Sequence, residues 1–209
     1  MRSVLNKAGI PVKVNLPAVG ENLQDQPNSQ IIMTSNTTFN GSIPYVAFGS
    51  ASDILDSLPK NVNLTAWAEK VAVAIDHAIS VSSLEQIFRI QYKLISNGVV
   101  DAESILQTSY NIGFGPSGLV ASAFWLLLPF SRGNVHISSS DPLAYPVLNP
   151  NFFLVDFDVD VQVAIAKWTR KFWDTAPIQG LATETTPGFD VLPKDASDEQ
   201  WANWVKTTC

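Results

Sequence analysis

The amino-acid sequence predicts an α+β chain, because strand-like and helix-like periodicities both recur along it. The run Ala123 to Leu128 is apolar throughout and ends at Pro129. It is too short for a bilayer span, which takes about 20 residues, so it reads as a strand buried on both faces. Asn134 to Ser138 alternates Val135 and Ile137 with polar neighbours, the period-2 mark of a half-buried strand. By contrast, Val161, Ile165, Trp168 and Phe172 recur at helical spacing within Asp156 to Trp173.

Taken in order, residues 1–9 read as the end of a helix, with Gly9 as its stop. Pro11 to Leu16 alternates like a strand, and Val19 to Asn28 is a loop marked by Gly and Pro. Gln30 to Thr34 is a short strand. Thr34 to Ser50, rich in Ser, Thr, Asn and Gly, reads as a surface loop. Asp53 to Leu58 is a helical turn ended by Pro59, and Thr65 to Ile79 is Ala-rich helix containing His77. Ser82-x-x-Glu85 has capping-box spacing and opens a helix to Ser96, closed by Asn97-Gly98. Asp101 to Tyr110 is a strand, residues 111–118 a Gly-rich loop, and Ser131 to Gly133 a turn. Pro142, Pro146 and Pro150 fix an extended strap that cannot be helix, with Phe152 and Phe153 pinning its end. Thr183 to Lys194 reads as polar loop. Ser197-x-x-Gln200 is a second capping box, opening a helix with Trp201, Trp204 and Val205.

Composition excludes several functions. Apolar residues make up 46% and charged residues 15%, so the chain can bury a core. A net charge of −6 without a basic run argues against nucleic acid or an anionic membrane as partner. Cys209 is the one cysteine, and His77 and His136 are the only histidines, so neither an internal disulfide nor a Cys/His metal site is supported. Asn36, Asn40 and Asn63 each open an Asn-x-Ser/Thr triplet, a glycan acceptor in a secreted chain. Residues 1–7 nevertheless lack the apolar stretch of a signal peptide.

Two apparent catalytic motifs fail on context. Gly113-Phe114-Gly115-Pro116-Ser117-Gly118 matches G-x-G-x-x-G, but Pro116 and Ser117 favour a turn and a strand follows where a phosphate-binding helix is required. There is no G-x-S-x-G nucleophile elbow. His136 falls on the polar side of its strand and reads as solvated or hydrogen-bonded rather than catalytic.

Two longer blocks carry a resemblance. Leu127-Leu128-Pro129-Phe130-Ser131-Arg132-Gly133-Asn134-Val135-His136-Ile137, followed by Ser140-Asp141-Pro142 and Pro146-Val147-Leu148-Asn149-Pro150-Asn151-Phe152-Phe153, resembles the glucose–methanol–choline (GMC) flavoprotein oxidoreductases, nearest the fungal glucose oxidases and FAD-dependent glucose dehydrogenases. Leu16-Pro17-Ala18-Val19-Gly20-Glu21-Asn22-Leu23-Gln24-Asp25-Gln26-Pro27 is similar to a second block of that family, with Ala18 for its Gly and Gln26 for its usual His. The blocks stand in family order.

The resemblance implies an antiparallel sheet backed by helices. Residues 1–27 would be the tail of the FAD-binding region, 28–130 the first part of the substrate domain, and 131–209 the start of the family's C-terminal region. It implies FAD as cofactor, a glucose-like sugar or an alcohol as substrate, and oxygen or a quinone as electron acceptor. It also makes Met1 an internal residue of a longer secreted protein, whose flavin fingerprint and catalytic His lie in sequence not present in this chain. Glu103 matches the family's carboxylate that orients that His, at a longer spacing that implies an insertion; a surface Glu is the plainer alternative. Trp125 matches a pocket-wall Trp and reads equally well as core. Asn22 and Asp25 would lie where the flavin and substrate regions join, although Asx side chains also stabilise loops without any ligand. The competing class is a secreted, non-catalytic module that binds carbohydrate or a protein partner through exposed aromatic side chains.

Overall fold

The computed structural model describes residues 2–35, 37, 45–108 and 118–209. In chain order these form α1 (Arg2–Lys7), β1 (Glu21–Leu23), β2 (Asn28–Ser35), β3 (Tyr45–Ser50), α2 (Ala51–Ile54), α3 (Leu64–Ala74), α4 (Val81–Ser96), β4 (Val100–Thr108), β5 (Leu119–Leu126), β6 (Gly133–His136), β7 (Val147–Asn149), α5 (Asp156–Trp173), β8 (Ala182–Thr186) and α6 (Asp198–Thr208). Every strand pairing is antiparallel, and helices accompany two sheets, the α+β class expected. The chain divides into two compact units, each built from three separate segments.

The first unit comprises residues 1–25, 60–93 and 129–158. Its sheet has the order β1-β6-β7. Its core is aromatic: Trp67 of α3 lies 4.9 Å from the Phe130 ring, and Phe88 of α4 lies 5.3 Å from the same ring. Pro129 to Arg132 thread this core and are buried as an irregular segment; the turn expected over Ser131 to Gly133 does not form, and Gly133 opens β6. A buried peptide must find hydrogen-bond partners. Asp158, in the first turn of α5, supplies them. Its Oδ1 accepts from Phe130 N at 2.8 Å, and its Oδ2 accepts from Ser131 N at 2.7 Å and from the Ser131 hydroxyl. The Ser131 oxygen in turn accepts from Val155 N at 3.0 Å. Burial pushes the Asp158 carboxyl up to about 6, against these hydrogen bonds and the Arg132 charge, which favour its ionised form. Arg132 donates to Gln91 Oε1 at 3.0 Å and to the Ser131 carbonyl at 2.9 Å, with its guanidinium 5.4 Å from the Phe88 ring centre.

The second unit comprises residues 26–59, 94–128 and 159–209. Its five-stranded sheet runs β3-β4-β5-β2-β8. β5 is central and almost wholly buried, as its apolar run predicts. Val161 and Ile165 of α5 are fully buried, and Trp173 Nε1 donates to Ser122 Oγ at 3.1 Å. α6 opens with the expected capping box, in which Ser197 and Gln200 bond each other's backbone N–H, and it buries Trp201, Trp204 and Val205. Arg170 ties α5 to β8 through two hydrogen bonds to Glu184, at 2.9 and 2.6 Å, and stacks 4.3 Å from the Trp201 ring centre.

Several expectations are corrected. Pro11 to Leu16 forms no strand; Val14 and Leu16 are exposed, and alternation without a surface to bury against has no driving force. Strands β3 and β8 fall in the stretches read as surface loop and polar loop: β8 is polar and forms by edge pairing to β2, whereas β3 is the apolar run Tyr45 to Phe48 at the end of a polar stretch. The strap contains strand β7, paired to β6. α4 is capped by Ser80, whose Oγ accepts from Ser83 N at 3.1 Å, while Glu85 pairs with Arg89 at 2.6 Å; the Ser82 box does not form. α3 ends at Ala74, which leaves His77 outside it at φ 52°. The Gly-rich stretch lies outside the described residues except for Gly118.

Asp158→Ala strips two buried N–H groups of their acceptor, at about 1–3 kcal/mol each. Its midpoint in urea unfolding is expected to fall by the equivalent of about 3–5 kcal/mol, with Asp158→Asn intermediate because an amide offers only one acceptor oxygen.

Candidate active-site face

Directly paired residues on antiparallel strands share a face of the sheet. The register sets Phe48 of β3 against Glu103 of β4, Glu103 against Trp125 of β5, and Trp125 against Asn28 of β2. Two residues picked out separately in the sequence thus become immediate neighbours, with Cβ atoms about 5 Å apart. On the same face of β5, Ala123 and Ala121 are small and buried, so Trp125 stands above a low floor. Glu103 is half-buried, and among the described residues its carboxylate has no hydrogen-bond partner. A carboxylate held beside an indole on a rigid central strand can accept a proton-bearing group and orient it. Phe48, 59% exposed, completes an aromatic–carboxylate–aromatic row. It was missed because β3 was read as loop.

Asn22 and Asp25 belong to the first unit. Gly20 and Glu21 tie this loop to β6: Val135 N donates to Gly20 O at 2.7 Å, and His136 Nε2 lies 2.9 Å from Glu21 Oε1. The Glu21 side chain is 5% exposed and that of His136 17%. Glu21 Oε2 and His136 Nδ1 are buried with no hydrogen-bond partner among the described residues. His136 is therefore a hydrogen-bonded strand residue, as expected. The register slips between Glu21 and Leu23, which makes Asn22 a bulge residue at φ 63° with its side chain in solvent. A non-Gly residue in the left-handed region at a bulge is a recurrent device for aiming a side chain. The Glu21–His136 pair was legible in principle, since both residues lie inside the two motif blocks; their meeting is a tertiary event.

Of the glycan candidates, Asn36 and Asn40 lie outside the described residues. Asn63 is exposed and caps α3, its Oδ1 accepting from Ala66 N at 3.0 Å. The described residues form no pyrophosphate cradle. Among the described helices, α3, α4 and α6 open from Asn63, Ser80 and Ser197 caps, and α2, four residues long, opens at Ser50 directly after β3. No group of three or more metal-ligating side chains occurs among the described residues, and none of their helices is long and apolar enough to cross a membrane.

Residues 129–209 match the family model described as GMC oxidoreductase. The chain is 34% identical over 200 residues to the glucose oxidase-like protein fsoC of Humicola fuscoatra, covering 92% of this chain and 32% of that protein. It is 36% identical over 220 residues to glucose oxidase of Aspergillus carbonarius, covering 99% of this chain and 34% of that protein. The chain thus spans about a third of the length of these curated relatives. Among solved structures it is similar to a fungal aryl-alcohol oxidase, with TM-score 0.67, 24% identity and coverage of 97% of this chain and 39% of that one. It is also similar to an FAD-dependent oxidoreductase of Chaetomium thermophilum, with TM-score 0.68, 20% identity and coverage of 99% and 40%. At these identities the structures testify to the fold.

A Cβ on Gly20 would overlap Val135 O and crowd His136 Nδ1, at a residue already at φ 84°. Gly20→Ala is expected to lower stability by about 1–3 kcal/mol, read as a drop in the thermal midpoint. The match at residues 129–209 and the collinear relatives over nearly the whole chain make this chain similar to the GMC oxidoreductases.

Proposed function

We propose that this chain supplies the substrate-facing wall of an FAD-dependent oxidoreductase that oxidises the CH–OH group of a glucose-like sugar or an alcohol. The observation that carries the reading is the cross-strand neighbourhood of Glu103 and Trp125 on one face of the sheet. Trp125 offers a flat apolar surface of the kind that packs on sugar rings. Glu103 orients an imidazole from another part of the protein, fixing which nitrogen takes the hydroxyl proton. The hydride acceptor of such chemistry is the flavin, and this chain's part is confined to the wall. The names of the relatives, glucose oxidase among them, support oxygen as the electron acceptor, with a quinone as the alternative. Residues 1–27 belong on this reading to the flavin-binding region, with Asn22 and Asp25 at its border, and residues 28–130 and 131–209 to the substrate and C-terminal regions. Secretion is part of the proposal, supported by the Asn-x-Ser/Thr triplets at Asn36, Asn40 and Asn63.

A second reading, a non-catalytic binding module, is favoured by exposed aromatic side chains, Tyr145 at 92% and Phe48 at 59%. The two separate cleanly. Residues 1–209 alone are expected to show no flavin absorbance, no dye reduction with glucose, and no change in Trp fluorescence on glucose titration. Saturable glucose binding without flavin would instead establish the module. In an FAD-loaded protein containing this sequence, Glu103→Gln is expected to lower kcat about 100-fold, whereas Trp125→Ala raises KM for the sugar. An unchanged kcat in the Glu103 variant would remove the carboxylate from the mechanism.

A further inference from the structure

Side chains along β4 alternate between the two faces of the sheet. Glu103 stands on the candidate active-site face; Ser104 and Leu106 stand on the other. There, within the second unit, the sheet and the C-terminal half of α5 border an open cavity of about 750 Å³, inside the range that holds a small organic ligand. Nothing in the oxidoreductase reading uses it.

We propose that this cavity binds a planar aromatic acid. Trp168 and Phe172 of α5 line it together with Leu106 and Ile178, a setting for a flat ring. The hydroxyls of Ser104, Ser122 and Thr169 line it too, and Ser122 and Thr169 are almost completely buried. Ser122 Oγ accepts from Trp173 Nε1, which leaves its own hydrogen to offer. Thr169 Oγ1 reaches Ser104 Oγ only at 3.5 Å, a weak contact that a ligand oxygen can replace.

Charge selects the class of ligand. Asp53 and Lys171 are the charged lining residues, beside the Tyr45 phenol. Asp53 Oδ2 is engaged by the Ser50 amide at 2.8 Å and the Ser50 hydroxyl at 2.6 Å. Lys171 makes no ion pair among the described residues. An apolar slot with hydroxyl donors and an uncommitted ammonium matches an arene that carries a carboxylate. The inference does not depend on the role given to Glu103.

Calorimetric titration of the protein with 2-naphthoate tests it. Saturable one-to-one binding is expected with a Kd of about 100 µM or tighter. Lys171→Ala, an exposed helix position, is expected to weaken 2-naphthoate about tenfold while leaving the uncharged analogue 2-naphthol within about twofold. Leu106→Trp, which places an indole in the cavity and narrows it, is expected to weaken both. Absence of saturable binding at millimolar 2-naphthoate would overturn the proposal. So would equal effects of Lys171→Ala on acid and phenol, or undiminished binding by a folded Leu106→Trp variant. If Leu106→Trp does not fold, the acid–phenol comparison in Lys171→Ala decides.

Discussion

Asp158 is the residue on which the first unit depends. One carboxylate in the first turn of α5 takes up the backbone of Phe130 and both backbone and hydroxyl of Ser131. Those bonds let an irregular segment run through an interior where its amides would otherwise be orphaned. Phe130 can then sit at the centre of the aromatic cluster with Trp67, Phe88 and Phe157. Arg132 is fixed by the same geometry, since its donors reach the Ser131 carbonyl and Gln91. The Leu-Pro-Phe-Ser-Arg-Gly wording that marks the family in this chain is therefore explained by packing and hydrogen bonding, without a catalytic role.

The second unit shows how a strand separates two chemistries. β4 carries Glu103 toward one face and Ser104 toward the other, one residue apart. The first face meets Trp125 and Phe48; the second borders the open, hydroxyl-lined cavity beneath α5. Arg170 and Trp173 anchor α5 at this end, by the Glu184 pair and the Ser122 hydrogen bond. A buried Arg–Glu pair adds little net stability over an apolar pair, but its geometry is exacting.

Much of the architecture was legible from the residues. The bounds of α5 and the capping box of α6 follow from apolar periodicity and from the Ser197–Gln200 spacing, because both are local. The buried character of β5 follows from its apolar run for the same reason. Strand β8 was not legible, since its residues are polar and become a strand only through edge pairing, and the short apolar run of β3 was masked by the Ser-, Thr-, Asn- and Gly-rich stretch before it. Glu103, Trp125, Asn22 and Asp25 were singled out through family wording. Phe48 and the Glu21–His136 pair were not, because no local pattern announces a contact between distant segments.

What the sequence determined by itself was which segments are helix or central strand, and the two blocks that carry the family resemblance. These rest on short-range forces: backbone propensity, caps and the period of apolar side chains. Only the tertiary structure decided which face each residue occupies and which residues meet. Register is set by the burial of whole faces, and a slip of one residue along β4 would exchange Glu103 for Ser104 beside Trp125.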